Sequence, residues 1–203
     1  MATSFRVGFV PGVTPDKWSR AWSQRMPRRP LVMVPLGERD GVALLRSGEL
    51  DMCLVRLPVD REGLHLIPLY DEQPVVVVSN DHPVAAYDEI DVAELADEHL
   101  LQDPDTVPEW RDLATEVAVR SRHPVPSMTL RQAVESVAAD AGIVIVPMSL
   151  ARLHHRRDVR AVRVTGVPST KVGLAWRTDH GDDRVEVFIG VVRGRTANSS
   201  RGR

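Results

Sequence analysis

Apolar positions along the chain change their spacing repeatedly, and each change marks a predicted element. Runs of consecutive apolar, often β-branched residues are typical of short buried strands. In the first part of the chain these runs cover residues 5–10, 31–36, 51–55 and 64–70. Between them, apolar residues spaced three to four apart predict amphipathic helices over 14–26 and 38–47. This alternation of strand and helix predicts a parallel sheet with crossover helices.

The stretch LYDEQPVVVVSNDHP, residues 69–83, organises the rest of the chain. Pro74 excludes a helix, and four consecutive valines follow it. A β-branched run that is apolar on both faces predicts a fully buried strand, which the turn residues NDHP then end. We interpret this strand as the passage between two lobes.

A second round of elements follows. Predicted helices cover 90–96, 109–120, 129–141, 147–155 and 184–192, and predicted extended segments cover 99–102, 124–128, 143–146, 159–164 and 171–177. Residues 159–164 have the pattern of an edge strand. The residues TLRQ at 129–132 form a capping box, in which Thr129 and Gln132 each satisfy a backbone N–H of the other. Gly48 and Gly142 are predicted to end helices.

The pattern predicts two lobes. Lobe I comprises residues 1–75 and 173–203, and lobe II comprises residues 76–172. The end of the chain, 194–203, is rich in Arg, Gly, Ser and Asn and is predicted to be disordered.

Composition narrows the function classes. The formal net charge is −2, from 26 Lys and Arg against 28 Asp and Glu, so no overall field attracts DNA or an acidic membrane. No window of about 18 apolar residues exists, so no membrane span is predicted and a cytoplasmic protein is expected. The single cysteine, Cys53, excludes an internal disulfide and lies in an apolar strand, where a buried thiol is expected.

The sequence contains no familiar catalytic or metal-binding motif. Gly-x-Ser-x-Gly, His-Glu-x-x-His, paired cysteines and a phosphate-binding glycine loop are all missing. Asp103 and Asp105 precede a predicted helix and are assigned to capping. His154 and His155 diverge by about 100° on a helix, so they do not easily share one metal ion. We predict no catalytic residue, no metal site, no cofactor and no enzyme activity.

Four segments together resemble the effector-binding (substrate-binding) region of LysR-type transcription regulators. They are LLRSGELDMCLVR (44–56), LIPLYDEQPVVVVSNDHPVA (66–85), DVAELADEHLL (91–101) and VAADAGIVIVPMSLA (137–151). The family's Gly-x-Leu-Asp turn is GELD at 48–51, and its strand ending is DHPVA at 81–85. The resemblance extends over about residues 5–193. It implies an α/β fold of two Rossmann-like lobes with a central cleft, similar to type two periplasmic binding proteins.

The resemblance also implies a function. The chain is expected to be the effector-sensing domain of a regulator, or a stand-alone relative, and to form a homodimer. Family members begin with a winged helix-turn-helix, which this chain lacks, so DNA contact is expected only through a helix-turn-helix outside it. The alternative is a solute-binding protein or an enzyme that uses the same fold without a role in transcription.

A binding site is predicted where helix N-termini meet the carboxyl ends of strands. Three predicted helix starts carry a threonine, and together they suit a small organic anion, most simply a carboxylate; they are Thr14, Thr106 and Thr129. Arg56 is either a further partner of the anion or a surface arginine. Pro147 and Met148 are predicted to form an apolar wall. If Trp18 or Met148 instead fills the cleft, sensing has been lost.

Overall fold

The computed structural model describes residues 4–115 and 128–194. Residues 116–120 of the predicted helix 109–120, residues 124–127 of the predicted extended segment 124–128, and the predicted tail from 195 onward lie outside the described residues. The strands are β1 (Phe5–Phe9), β2 (Leu31–Pro35), β3 (Met52–Arg56), β4 (Leu64–Glu72), β5 (Pro74–Ser79), β6 (Glu89–Asp91), β7 (Val144–Pro147), β8 (Val159–Thr165) and β9 (Thr170–Arg177). The α-helices are α1 (Asp16–Arg25), α2 (Gly41–Arg46), α3 (Pro108–Arg111), α4 (Leu130–Ala138), α5 (Met148–Leu153) and α6 (Asp183–Val192).

The chain divides into two compact units. The first unit contains residues 4–71 and 171–194, and the second contains residues 72–170 apart from the undescribed segment. Each unit is built on its own sheet. In the described ranges, no helix has both the length and the apolar character needed to cross a membrane.

The sheet of the first unit has the strand order β2-β1-β3-β9-β4. Strand β1 pairs in parallel with β2 and β3, as the alternation of strand and helix predicts. The predicted parallel order therefore holds for β1, β2 and β3, whereas β9, which comes from a later part of the chain, pairs antiparallel with β3. The reason is that β9 returns from the second unit and enters this sheet without a crossover helix of its own.

The sheet of the second unit has the order β6-β8-β5-β7, and the valine strand β5 pairs antiparallel with both of its neighbours. Val76 and Val78 pack into one apolar cluster while Val75 and Val77 pack into another, so both faces of β5 are covered. The prediction of a fully buried strand is confirmed.

The prediction that 159–164 is an edge strand is wrong. Strand β8 lies between β6 and β5. Its Val162 and Val164 are buried on one face, whereas Ala161 and Arg163, which alternate with them on the other face, are exposed. The alternation of buried and exposed residues indicates that one face of the strand contacts solvent. An interior antiparallel strand can have such a face, as an edge strand can.

Two short predicted elements have a different conformation. Residues 90–96 are not one helix, because Asp91 is extended (φ −79°, ψ 144°) and ends strand β6. Its carboxylate then caps a 3-10 turn over Val92–Leu95 together with Glu94. Residues 99–102 form a single bridge, between Leu100 and Ile143, rather than a strand.

Glycine is required at both predicted helix ends, for different reasons. Gly48 has φ +78°, the left-handed conformation that favours glycine after a helix. After α4 two residues have a positive φ, Asp140 (58°) and Gly142 (151°). A Cβ on Gly142 would lie 2.3 Å from the carbonyl oxygen of His99, so close backbone approach requires glycine there.

Candidate functional site

Thr129 caps helix α4 as the sequence predicts. Its Oγ1 accepts a hydrogen bond from the Gln132 N–H at 3.3 Å, and its own N–H donates to Gln132 Oε1 at 2.9 Å. The Thr129 hydroxyl also donates to Gln132 Oε1. The predicted capping box is confirmed, and it leaves the N–H groups of the first helical turn directed out of the helix.

Arg131 places a positive charge in the first turn of α4. Its guanidinium pairs with Glu135 at 3.2 Å on the exposed face of the helix. Burial and then the Arg131 charge lower the pKa of His154, which therefore favours its neutral form. Arg131 was not among the predicted site residues, although its position two residues after a cap threonine was a usable signal.

Thr106 does not cap a helix, contrary to the prediction. It is the last residue of a 3-10 turn, Pro104–Thr106, and its hydroxyl donates to the Asp103 carbonyl at 2.6 Å. The following helix, α3, has Val107 at its N-cap without a side-chain bond. Asp103, rather than Thr106, supplies the capping side chain of the 3-10 turn, and its carboxylate accepts the Asp105 N–H at 3.0 Å.

Gln102 connects Thr106 to the sheet, and the sequence pattern did not predict this role. Its Nε2 donates to Thr106 Oγ1 at 2.8 Å and to the Ile145 carbonyl at 3.0 Å, and its Oε1 accepts from the Ile145 N–H at 2.8 Å. It thereby holds the 100–102 segment against β7. No local pattern marks such a glutamine.

Pro147 and Met148 continue from the same strand. Pro147 ends β7 and Met148 begins α5, where its N–H donates to the Gln73 carbonyl at 2.9 Å. One apolar cluster of the second unit is contacted by Met128, Leu130 and Met148. The start of α4 and the end of β7 therefore pack against the same cluster. Four of the six predicted site residues thus belong to the second unit.

Thr14 and Arg56 belong to the first unit. Thr14 is exposed and does not cap α1; Pro15 is the N-cap, without a side-chain hydrogen bond. Arg56 is not a surface arginine, because its side chain is only 8% exposed. It pairs with Glu38 and donates to the Pro11 carbonyl at 3.0 Å. Its charge is therefore already balanced within the unit.

The described residues form two α/β units, each with its own sheet. The model of the LysR substrate binding domain matches residues 2–197, so the chain belongs to this family. The resemblance recognised in the sequence is confirmed.

Curated relatives are transcription regulators. A probable hydrogen peroxide-inducible genes activator of Mycobacterium avium is 26% identical over 207 residues, which cover 95% of this chain and 65% of that protein. The regulator MetR of Escherichia coli is 30% identical over 125 residues, 60% of this chain and 39% of MetR. The chain therefore spans less than two thirds of the length of these relatives.

Solved structures confirm the fold class, which is that of type two periplasmic binding proteins. The reduced OxyR regulatory domain from Pseudomonas aeruginosa has a TM-score of 0.71 at 25% identity, covering 95% of this chain and 98% of that one. The BenM effector binding domain with its effector benzoate has a TM-score of 0.71 at 18% identity, covering 98% and 95%. These matches do not favour the alternative of a solute-binding protein or enzyme.

Proposed function

We propose that this chain is the effector-sensing part of a transcription regulator and that its effector is a small organic anion. Family membership over nearly the whole chain supports the sensing role. The curated relatives are named as gene activators and transcriptional regulators, which supports a role in transcription for the whole protein. A regulator that acts on chromosomal DNA works in the cytoplasm, where we place this protein.

The anion preference rests on the start of helix α4. The capped first turn presents backbone N–H groups and the positive end of the helix dipole. Arg131 adds a guanidinium within that turn, where it pairs with Glu135 on the exposed face. Thr129, Thr106, Pro147 and Met148 remain the proposed contacts of this unit. Thr14 and Arg56 remain the proposed contacts of the first unit.

A protein of similar fold also supports a carboxylate effector. The effector of the BenM effector binding domain is benzoate, which is a carboxylate.

Peroxide is a poor candidate for the effector, despite the names of several relatives. A peroxide-sensing thiol reacts as the thiolate and must be accessible. Cys53 is fully buried, and burial raises its pKa to about 12. We therefore expect brief hydrogen peroxide treatment of the folded chain to leave Cys53 unmodified by mass spectrometry; rapid sulfenic acid formation at Cys53 would contradict this expectation.

A calorimetric screen of small carboxylates tests the proposal. For a carboxylate that binds, we expect Arg131→Gln and Thr129→Val each to weaken binding about tenfold, since each removes a donor or charge worth roughly 1–2 kcal/mol. Thr129→Ser keeps the hydroxyl and is expected to bind nearly as the wild type. Arg160→Gln removes an exposed arginine of the same unit and serves as the charge control.

The same calorimetric screen tests whether the first unit contacts the effector. If Thr14→Val weakens binding without changing stability, Thr14 contacts the effector. If neither Arg131→Gln nor Thr129→Val affects a carboxylate that binds, the effector site lies elsewhere on the chain.

Two partner proposals complete the function. We propose that the domain forms a homodimer, and light scattering that gave only monomer at high concentration would contradict this. We also propose that the chain by itself does not bind DNA specifically, because its net charge is −2. Sequence-selective binding in a gel-shift at physiological salt would overturn that proposal.

A further inference from the structure

Three potential metal ligands meet in the first unit, although they are far apart in the sequence. Asp51 immediately precedes β3, His180 lies in the turn after β9, and Asp182 is the N-cap of α6. One ligand atom from each residue lies within 4.8 Å of the other two. Their side chains are 20%, 16% and 18% exposed, so the cluster is largely shielded from water.

His180 has an unsatisfied nitrogen at this cluster. Its Nε2 is buried and lacks a hydrogen-bond partner among residues 4–115 and 128–194. Asp51 Oδ1 is 3.3 Å away, but the two atoms do not make a hydrogen bond. Tetrahedral ligands at bond lengths of 2.0–2.1 Å are separated by about 3.3 Å, so this spacing suits two ligands of one ion. A buried nitrogen without a partner is costly unless something else occupies its lone pair.

The two carboxylates are held in place by hydrogen bonds. Asp51 Oδ2 accepts the Arg6 N–H at 2.7 Å, which leaves Oδ1 directed to His180. Asp182 accepts hydrogen bonds from the Arg184 guanidinium and from the Arg184 backbone N–H, which fix the orientation of its carboxylate. Such hydrogen-bonded carboxylates are common around metal ions.

We propose that Asp51, His180 and Asp182 bind a divalent transition-metal ion of the zinc type. One imidazole nitrogen and two carboxylate oxygens form a mixed donor set, which zinc accepts, whereas calcium and magnesium take oxygen ligands. The ion would connect the start of β3, the turn after β9 and the first turn of α6. It would therefore clamp the C-terminal helix to the sheet of the first unit. This site is independent of the proposed effector.

Arg184 sets the strength of this site. Its Nε donates to Asp182 Oδ2 at 2.7 Å and to Oδ1 at 2.9 Å, so a metal ion must share Asp182 with a fixed positive charge. The nearby Asp183 pairs with Arg29, and its charge also acts favourably on Arg184. Removing the Arg184 charge should therefore tighten metal binding, which a purely structural role for the cluster does not predict.

A pocket lies beside the cluster. It has a volume of about 510 Å³, and His180 and Asp182 line it together with His65, Trp176 and Glu186. The ring of His65 packs on Trp176, with the ring centroids 5.4 Å apart. Two of the three proposed ligand residues therefore border this pocket.

Titration of the metal-free chain with Zn²⁺ in a calorimeter, and with Co²⁺ in a spectrophotometer, tests the proposal. We expect one ion per chain, Co²⁺ absorption bands in the visible range, and a higher Tm with Zn²⁺. His180→Gln and Asp182→Asn should each weaken binding at least tenfold and remove the Co²⁺ bands. Asparagine still caps α6, so Asp182→Asn separates ligand loss from cap loss. Arg184→Met should bind several-fold more tightly.

His155→Gln is the matched control, because His155 is an exposed histidine in the second unit. Its binding should equal that of the wild type. Absence of saturable Zn²⁺ binding, or binding that survives both His180→Gln and Asp182→Asn, would overturn the proposal. If circular dichroism shows that His180→Gln does not fold, Asp182→Asn and Asp51→Asn decide the outcome.

Discussion

The two units bury their sheets with different side chains. In the first unit, Phe5 stacks on Trp22 with ring centroids 5.2 Å apart, and Phe188 of α6 packs against both rings. In the second unit the central strand β5 relies on valines on both faces, with Trp110 as the large aromatic residue of one cluster. The chain has 4% aromatic residues, and the first unit concentrates them where two helices meet one sheet.

This difference shows two ways to fill a core. Aromatic rings bury a large area each and span the gap between a sheet and helices at different angles. Valines are rigid and narrow, so a strand between two apolar layers can pack them on both faces. We therefore expect the first unit to depend on few large side chains and the second on many small ones.

Truncation of one core residue in each unit has the largest expected effect. Trp22→Ala removes a buried ring and its Nε1 hydrogen bond to the Arg29 carbonyl, and it should cost about 3–5 kcal/mol of unfolding free energy. Val76→Ala should cost roughly 2 kcal/mol. Urea unfolding measures both, and Trp22→Phe, which keeps a ring, should lie between them. If Trp22→Ala and Val76→Ala lost equal free energy of unfolding, the two units would not differ in their dependence on large side chains.

One ion pair from each unit provides a second comparison, between a buried and an exposed arginine. Arg56 of the first unit is almost fully buried, whereas Arg131 and Glu135 of the second form an exposed pair. Glu38→Gln leaves the buried Arg56 charge without its partner and should cost about 1–2 kcal/mol, less than for a fully buried pair because Glu38 is half-exposed. Glu135→Gln should cost less than about 0.5 kcal/mol. Thermal unfolding of both variants at low and high salt checks the contrast.

The helix starts sharpen the comparison further. Thr129→Val removes the cap of α4 and should cost about 1 kcal/mol, and Thr129→Ser should recover most of it. Thr14→Val should change stability by less than about 0.5 kcal/mol, because α1 begins without a side-chain cap. Denaturant midpoints measure all three variants. A similar loss for Thr14→Val and Thr129→Val would mean that Thr14 caps α1 in solution.

The smallest expected effect is the titration of His154. Its pKa lies below 6.5 in the folded chain, so the unfolded chain binds the proton more readily. This histidine therefore leaves stability unaffected above pH 6.5 and lowers it as the pH falls through the folded pKa. An NMR titration of Arg131→Gln should give a higher pKa than the wild type that is still below 6.5, since burial is the larger cause. An unchanged pKa in this variant would show that Arg131 has no electrostatic influence on His154.

Local signals in the sequence determined much of this fold. Pro74 and the four valines after it specified a buried strand, Thr129 and Gln132 specified a capped helix, and Gly48 specified a helix end. Each of these depends on residues within one turn or one short strand. Backbone conformation and helix capping depend on residues that are close in the sequence, so the local sequence is sufficient to predict them.

The tertiary structure alone decided which distant residues meet. Strand β8 became interior because β6 pairs with it, and Arg56 became buried because Glu38 and Pro11 close over it. Asp51 and His180 come together only because β9 returns to pair beside β3. Strand pairing depends on the packing of the whole unit rather than on neighbouring residues, and no local pattern encodes it. The sequence therefore determined the elements and the family, while the pairing of strands decided where the chemically active side chains are brought together.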